Sequence, residues 1–128
     1  MGYIKLNAII VTGHECPDGE KRFQKAHEKA KEIFNGDDER FHLVTEIRMS
    51  PNNGYLSFFI APDGGKAGWD ISEEFKQKRK EFTDYIYFEP QFSFIDLAYD
   101  EEGHLWVEKS NEWHIPESPG DSLEKYFE

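Results

Sequence analysis

Apolar and polar residues alternate near the start of the chain, a pattern typical of a β-strand with one buried face. The pattern covers residues 3–11, and its even positions carry Ile4, Leu6, Ala8 and Ile10. We expect these even positions to face the helices of the fold.

A helical period follows this first strand. Asn35-Gly36 is a typical helix end, and Pro17 or Asp18 can begin the helix. Between these signals, apolar residues recur at spacings of three and four at Phe23, Ala26, Ala30, Ile33 and Phe34. The pattern predicts an amphipathic helix.

Two further strands are separated by a turn signal. Residues 42–50 alternate, and Leu43, Ile47 and Met49 share one face. Pro51-Asn52-Asn53-Gly54 then leads directly into the apolar run of residues 55–60. Because Asn and Gly adopt positive φ at low cost, we expect these two strands to form a hairpin.

A second helix and a closing hairpin complete the pattern. Asp70 and Glu73 have the spacing of a capping box for a helix that ends before Pro90. Residues 92–99 and 104–109 then flank a short loop that ends in Gly103, which is typical of a hairpin connection. The residues of the second helix that we expect to face inward are Phe75, Phe82, Tyr85 and Ile86.

The element order is therefore β-α-β-β-α-β-β, which predicts an α+β protein built as a two-layer sandwich. The first six elements match the ferredoxin-like arrangement, and the last strand extends its antiparallel sheet. We expect residues 1–110 to form a single domain and residues 111–128 to form a C-terminal tail of the same domain. Asp121 and Glu124 repeat the capping-box spacing, so the tail is expected to dock and to end in a short helix.

The composition and the first residues indicate the cellular compartment of the protein. Cys16 is the only cysteine among the 128 residues, which excludes an internal disulfide framework. The first residues lack the basic and apolar regions of a secretory signal, and the apolar runs are too short to span a bilayer. We therefore expect a cytoplasmic protein that does not bind membranes.

The acidic charge is concentrated at one end of the chain. The formal net charge is −11, and residues 89–128 carry 11 acidic residues against only Lys109 and Lys125. Such a surface repels phosphate backbones, so direct nucleic-acid binding is not expected. It is either a solvated face or a contact surface for a basic protein partner. The residues expected to contact that partner are Asp100, Glu101, Glu102, Glu108 and Glu112.

The sheet face opposite the helices is expected to be apolar. If the even positions of the first strand face the helices, this open face receives Tyr55, Phe59, Phe94 and Trp106. An apolar patch of this kind usually marks a binding surface. Either the C-terminal tail covers it or the sheets of two copies pack together, so a monomer and a homodimer both remain possible. The carboxylates of the neighbouring hairpin exclude a platform for stacking RNA bases.

A glycine-rich loop, residues 63–70, precedes the second helix. A phosphate-binding loop would need Ser or Thr after the lysine and a glycine five residues before it, whereas Lys66 is followed by Ala67 without that spacing. We interpret the segment as a connector in which Trp69 closes the entrance to the helix. If the loops are exposed, the residues expected to contact a partner are Asn53, Lys66 and Trp69.

The histidines and the cysteine supply no metal or catalytic framework. His14 and Cys16 offer two zinc ligands beside the end of the first strand, but zinc takes three or four, and the other histidines are scattered singly. Cys16 also lies just before a helix, where a thiolate nucleophile can form. We predict no metal site, no cofactor and no catalytic residue.

The leading hypothesis is a non-enzymatic protein-binding domain that acts as an adaptor, an inhibitor or a DNA mimic through its acidic hairpin and tail. Small acidic accessory proteins of phages and mobile elements share this composition. The alternative is a dimeric ferredoxin-like enzyme or a small-ligand-binding protein with a pocket between the sheet and the helices. A deep apolar pocket on which His14, Cys16 or His104 converge would favour the alternative.

Overall fold

The computed structural model describes residues 3–15, 18–89 and 92–111. These residues form a five-stranded antiparallel sheet and two α-helices, which confirms the predicted α+β class. The predicted tail helix lies outside the described residues. The strands are β1 (Lys5–His14), β2 (Arg48–Met49), β3 (Tyr55–Ile60), β4 (Ser93–Asp100) and β5 (Leu105–Ser110). The helices are α1 (Gly19–Phe34) and α2 (Asp70–Ile86), with a short 3₁₀ helix at Glu39–Phe41.

Strand β1 lies at the centre of the sheet. The strand order is β2-β3-β1-β4-β5, and every neighbouring pair is antiparallel. Ile10 pairs with Phe59 of β3 on one side and with Ile95 of β4 on the other. Because paired residues point to the same face, these three side chains form a row across the sheet.

Strand β2 is much shorter than predicted. We expected a strand over residues 42–50, whereas only Arg48 and Met49 pair as a regular strand. Thr45 donates its backbone N–H to the Phe59 carbonyl at 2.9 Å but accepts the Phe59 N–H through its side-chain hydroxyl, also at 2.9 Å. A side chain thus takes the place of a backbone carbonyl, which interrupts the regular ladder.

The hairpin turns form where glycine and asparagine permit positive φ. Asn53 and Gly54 have φ angles of 63° and 65°, and the Ser50 N–H donates to the Tyr55 carbonyl at 2.7 Å. Gly103 has a φ of 90° in the turn between β4 and β5. The turn chemistry of the sequence therefore predicted both connections correctly.

The helices end where predicted, but α2 does not begin with the predicted capping box. Its N-cap is Trp69, and Asp70 and Glu73 lie in the first turn without a side-chain cap hydrogen bond at the helix start. Their negative charges still interact favourably with the N-terminal end of the helix dipole. The capping-box prediction was therefore wrong in its geometry.

The core forms between the helices and the odd positions of β1, so the predicted face was wrong. Ile9 and Val11 are fully buried, whereas Ile10 is 40% exposed. All positions from 8 to 11 are apolar, so alternation alone does not select the buried face. A Cβ at Gly13 would lie 2.6 Å from Cδ2 of Phe23, so glycine at an odd position allows this ring to pack on the strand. The buried phenylalanines of the core are Phe23, Phe34, Phe58, Phe75, Phe82, Phe92 and Phe94.

Candidate functional site

The sheet face that lies away from the helices exposes a set of large apolar side chains. The row formed by Ile10, Phe59 and Ile95 crosses its centre. Apolar residues of β3 and β5 extend the row toward both ends of the sheet. We call the exposed set the open-face patch; it consists of Ile10, Tyr55, Phe59, Ile95, Leu105 and Val107.

The central strands place no acidic or basic residue on this face except for the ring of His14. Throughout β1, β3 and β4, the remaining residues in phase with Ile10 are apolar or carry a hydroxyl group. The charged side chains of Lys5 and Asp96 lie on the helix-facing side instead. A solvated face of an antiparallel sheet normally carries polar residues. The observed distribution is typical of a surface that binds another surface.

Two of the four residues predicted for the open face lie on it. Tyr55 and Phe59 are exposed there, opposite the helices. Phe94 is fully buried in the core, so its assignment was wrong. The error follows from the reversed face of β1, because Phe94 pairs with the buried Val11.

Trp106 also lies on the helix-facing side rather than on the predicted face. It pairs with the buried Ala98, and Nζ of Lys5 lies 5.4 Å from the centroid of its ring. Glu108 accepts hydrogen bonds from Lys5 and from the Trp106 indole N–H, the latter at 3.3 Å. Burial opposes ionisation of Glu108, but these contacts outweigh it and lower the pKa of the carboxyl. The charge of Glu108 is therefore partly neutralised within the chain.

The connection between β4 and β5, which we call the acidic turn (residues 101–104), is organised around Asp100. The Asp100 carboxylate accepts hydrogen bonds from the Tyr3 hydroxyl at 2.7 Å and from the backbone N–H groups of Glu102 and His104 at 3.0 and 2.9 Å. Nδ1 of His104 lies 2.9 Å from the same carboxylate. These contacts occupy the Asp100 carboxylate inside the chain.

The same contacts shift three pKa values. The hydrogen bond to Asp100 raises the pKa of Tyr3 to about 12. Desolvation opposes ionisation of Asp100, but the hydrogen bonds from Tyr3, His104 and the backbone outweigh it and hold the Asp100 pKa well below its usual range. The hydrogen bond to Asp100 also raises the pKa of His104. The turn is therefore most stable when Asp100 is ionised and His104 is protonated.

Asp100→Asn is expected to lower the melting temperature most strongly at about pH 5. A depressed carboxyl pKa contributes stability above the unfolded value of about 3.9, and this contribution is lost as the pH falls through the folded pKa. The raised pKa of His104 contributes stability below about 6.5, and this contribution is lost as the pH rises through the folded pKa. Thermal melts of the wild type and the variant across this pH range measure the difference.

Glu102→Gln is the matched control, because it removes a neighbouring carboxylate that is exposed. We expect it to leave the melting temperature nearly unchanged. A difference between Asp100→Asn and the wild type that stays constant from acidic to neutral pH would contradict the role given to the Asp100 carboxylate.

Three of the predicted acidic contacts, Glu101, Glu102 and Glu108, are exposed in the structure, and Glu108 among them is paired with Lys5. Glu101 and Glu102 lie in the turn that leads into β5, whose first residue, Leu105, belongs to the open-face patch. The acidic turn therefore borders this patch at one end. Glu112 lies outside the described residues, so its predicted contact stays a prediction.

The three predicted loop contacts lie at two different ends of the sheet. Asn53 lies in the turn before β3, beside the His14 end of β1. Lys66 forms an isolated bridge with Ile4, next to the opposite end of β1. Nζ of Lys66 lies 5.7 Å from the ring centroid of the exposed Trp69. Lys66 and Trp69 therefore form one pair, and Asn53 is distant from it.

Of the two candidate zinc ligands beside the end of β1, the structure describes only His14. The His14 ring packs edge-on against Tyr55, with 5.2 Å between the centroids, and Cys16 lies outside the described residues. Asp100, Glu102 and His104 place potential ligand atoms within 4.8 Å of one another, a group that we did not predict because the histidines were considered separately from the carboxylates. Hydrogen bonding within the acidic turn accounts for this group without a metal.

Comparisons of the chain with protein-family models, with curated protein sequences and with solved structures find no match. Within residues 3–15, 18–89 and 92–111, neither helix is long and apolar enough to cross a membrane.

Proposed function

We propose that this chain is a non-enzymatic protein-binding domain, an adaptor or an inhibitor, whose partner docks on the open-face patch and the acidic turn. The observation that carries the proposal is the apolar character of the central open face. Removing apolar surface from water contributes about 25 cal/mol per Å², and aromatic side chains such as Tyr55 and Phe59 are enriched in interfaces. The patch therefore supplies affinity.

The charge of the chain favours a partner with an apolar centre and basic residues around it. The formal net charge is −11, and the exposed carboxylates of Glu101 and Glu102 border the patch. Charged groups at the rim of an interface accelerate encounter and set orientation, while the apolar centre supplies most of the affinity. Both features therefore act on the same partner.

A second copy of the chain is a less favourable occupant of the open face. Two copies that each carry a net charge of −11 repel one another, and the repulsion strengthens as the salt concentration falls. We therefore expect the purified chain to be a monomer at low salt. Size-exclusion chromatography with light scattering measures its mass.

The strand order supports a ferredoxin-like assignment of the fold. The crossover through α1 joins β1 to β2 with β3 between them, and the crossover through α2 joins β3 to β4 with β1 between them. We infer that these are the two split β-α-β units of that arrangement, extended by β5. Such a fold has helices on one face only, which leaves the other face available to a partner. The docking of residues 111–128 stays a prediction.

The proposal is tested with two pairs of substitutions that change different parts of one surface. We expect affinity purification from the native cells to recover a basic protein with the wild-type chain, but not with Glu101→Lys/Glu102→Lys or with Phe59→Ser/Ile95→Ser. Direct titration of the recovered, purified protein is expected to show at least a tenfold loss of affinity, about 1.4 kcal/mol, for each double variant. Added salt is expected to weaken wild-type binding.

Glu28→Lys/Glu32→Lys is the matched control, because it makes the same charge change on the exposed side of α1. We expect wild-type affinity from this control. An equal loss in the control would show that net charge alone drives binding. Unchanged titrations with the Phe59→Ser/Ile95→Ser variant would reject the patch as the docking surface. A dimer that this variant dissociates would assign the face to a second copy.

A further inference from the structure

A polar cleft lies on the side of the sheet opposite the open-face patch. It is enclosed by α2 and by residues of β1, β4 and β5, and its volume is about 310 Å³. This volume is in the range of small-molecule sites. Because the cleft and the open-face patch lie on opposite sides of the sheet, a ligand in the cleft and a protein on the patch do not compete for space.

The cleft contains a buried polar pair where a core side chain would be expected. Asp96 is only 6% exposed, and Nδ2 of Asn7 donates a hydrogen bond to Oδ1 of Asp96 at 2.9 Å. Asn7 is in phase with the core residue Ile9, and Asp96 is in phase with Phe94. Burial of a carboxyl group costs free energy that apolar side chains at the same positions would not cost. The pair therefore calls for a role beyond folding.

Cationic side chains outnumber carboxylates in the lining of the cleft. Five Lys and Arg residues and three Asp and Glu residues line it, in a chain whose formal net charge is −11. Four of the five cations are held in place by ion pairs. Arg79 lies 3.2 Å from Asp63, and Lys109 lies 2.6 Å from Asp84. Lys80 also pairs with Asp84, and Lys5 pairs with Glu108. A guanidinium has five N–H donors and an ammonium has three, so each retains donors for a ligand.

We propose that this cleft binds a small oxyanion, a phosphate- or carboxylate-bearing molecule, through Lys76, Arg79 and Lys109 beside the buried Asn7–Asp96 pair. Arginine and lysine are the side chains that bind phosphate and carboxylate groups most strongly. The bound anion would accept hydrogen bonds from Lys76 and from the N–H donors that Arg79 and Lys109 do not use in their ion pairs. The binding step forms no covalent bond.

Protonation of Asp96 makes the site compatible with an anion. Desolvation raises the pKa of Asp96, and the hydrogen bond from Asn7 and the positive charge of Arg79 oppose this shift only in part. A neutral carboxyl group donates a hydrogen bond to an anion, whereas an ionised one repels it. Affinity is therefore expected to fall as the pH rises through the Asp96 pKa. The charged groups that face Asp96 are Lys5 from β1, Arg79 from α2, and Glu108 and Lys109 from β5.

Isothermal titration of the full chain with inorganic phosphate, malonate and sulfate tests the proposal. Phosphate represents phosphate-bearing ligands, and malonate represents carboxylate-bearing ligands. Sulfate keeps its charge across the pH range, so its titration reports protonation of the protein alone. We expect Lys76→Gln and Arg79→Gln each to weaken binding about tenfold, the loss of one charge-assisted hydrogen bond. Asp96→Asn, which keeps a neutral donor, is expected to bind sulfate with an affinity that no longer depends on pH.

Lys25→Gln is the matched control, because it removes an exposed charge from α1 at a distance from the cleft. Circular dichroism confirms folding, and the exposed Lys76→Gln variant covers the case in which Arg79→Gln fails to fold. The proposal is overturned if none of the three anions binds with a Kd below about 10 mM. It is also overturned if Lys25→Gln loses as much affinity as Lys76→Gln, or if Asp96→Asn keeps the pH dependence.

Discussion

Phe82→Ala is expected to lower the free energy of unfolding by about 3–5 kcal/mol. Phe82 is fully buried, and its ring centroid lies 6.0 Å from that of Phe34 in α1 and 6.4 Å from that of Phe58 in β3. The ring therefore joins both helices to the sheet. Alanine would leave a cavity that the neighbouring rings fill only in part. Urea unfolding followed by circular dichroism measures the change.

Tyr85→Ala is the matched control on the same helix. The apolar pattern predicted that Tyr85 also faces inward, whereas it is 42% exposed and its ring packs under Nζ of Lys29 at 5.7 Å. We expect its loss to cost less than about 1 kcal/mol. Equal effects of the two substitutions would contradict the structure, because both aromatic residues would then contribute equally to the core.

The helices show why periodicity predicts elements better than it predicts their contacts. In α1 the buried set includes Phe23, Ala26, Ala30 and Phe34, as the spacing indicated. In α2 the same reasoning selected Tyr85 and missed Thr83, which is buried and donates a hydrogen bond to the Arg79 carbonyl at 2.9 Å. A period of 3.6 locates the centre of the apolar stripe, but the residues at its edges depend on the shape of the neighbouring layer.

The buried face of a strand is harder to predict from an apolar pattern than the buried side of a helix. Both faces of β1 carry apolar residues at positions 8–11, so the alternation that predicted the strand did not predict which face is buried. The error moved Phe94 and Trp106 to the wrong side of the sheet. It also concealed the polar cleft, although Asn7 and Asp96 interrupt apolar patterns at positions that a consistent face assignment would have marked as buried.

The charge count predicted an acidic surface in the closing hairpin and tail, but it did not predict which carboxylates bond within the chain. The net charge places this surface in the closing hairpin, and the structure leaves Glu101 and Glu102 exposed there. Asp100 and Glu108 instead bond to Tyr3 and Lys5, residues about 100 positions earlier in the chain. These residues, which are far apart in the sequence, meet because β1 lies beside β4. A count of charges along the chain carries no information on that arrangement.

Ile9→Ala and Ile10→Ala are expected to separate folding from binding at two adjacent positions. Ile9 is fully buried in the core, so its truncation should lower the free energy of unfolding by about 2–5 kcal/mol. Ile10 lies in the open-face patch, and its truncation should cost no more than about 1 kcal/mol. Urea unfolding of both variants measures these values under identical conditions.

The second measurement is titration of each folded variant with the purified partner. Ile10→Ala should weaken binding by about tenfold, because Ile10 lies in the central row of the patch between Phe59 and Ile95. Ile9→Ala should bind like the wild type once the titration is corrected for its unfolded fraction. If Ile10→Ala instead lowers stability as much as Ile9→Ala, the open face is buried within the full chain. The C-terminal segment would then be its occupant, and a partner would have to displace that segment before it could dock.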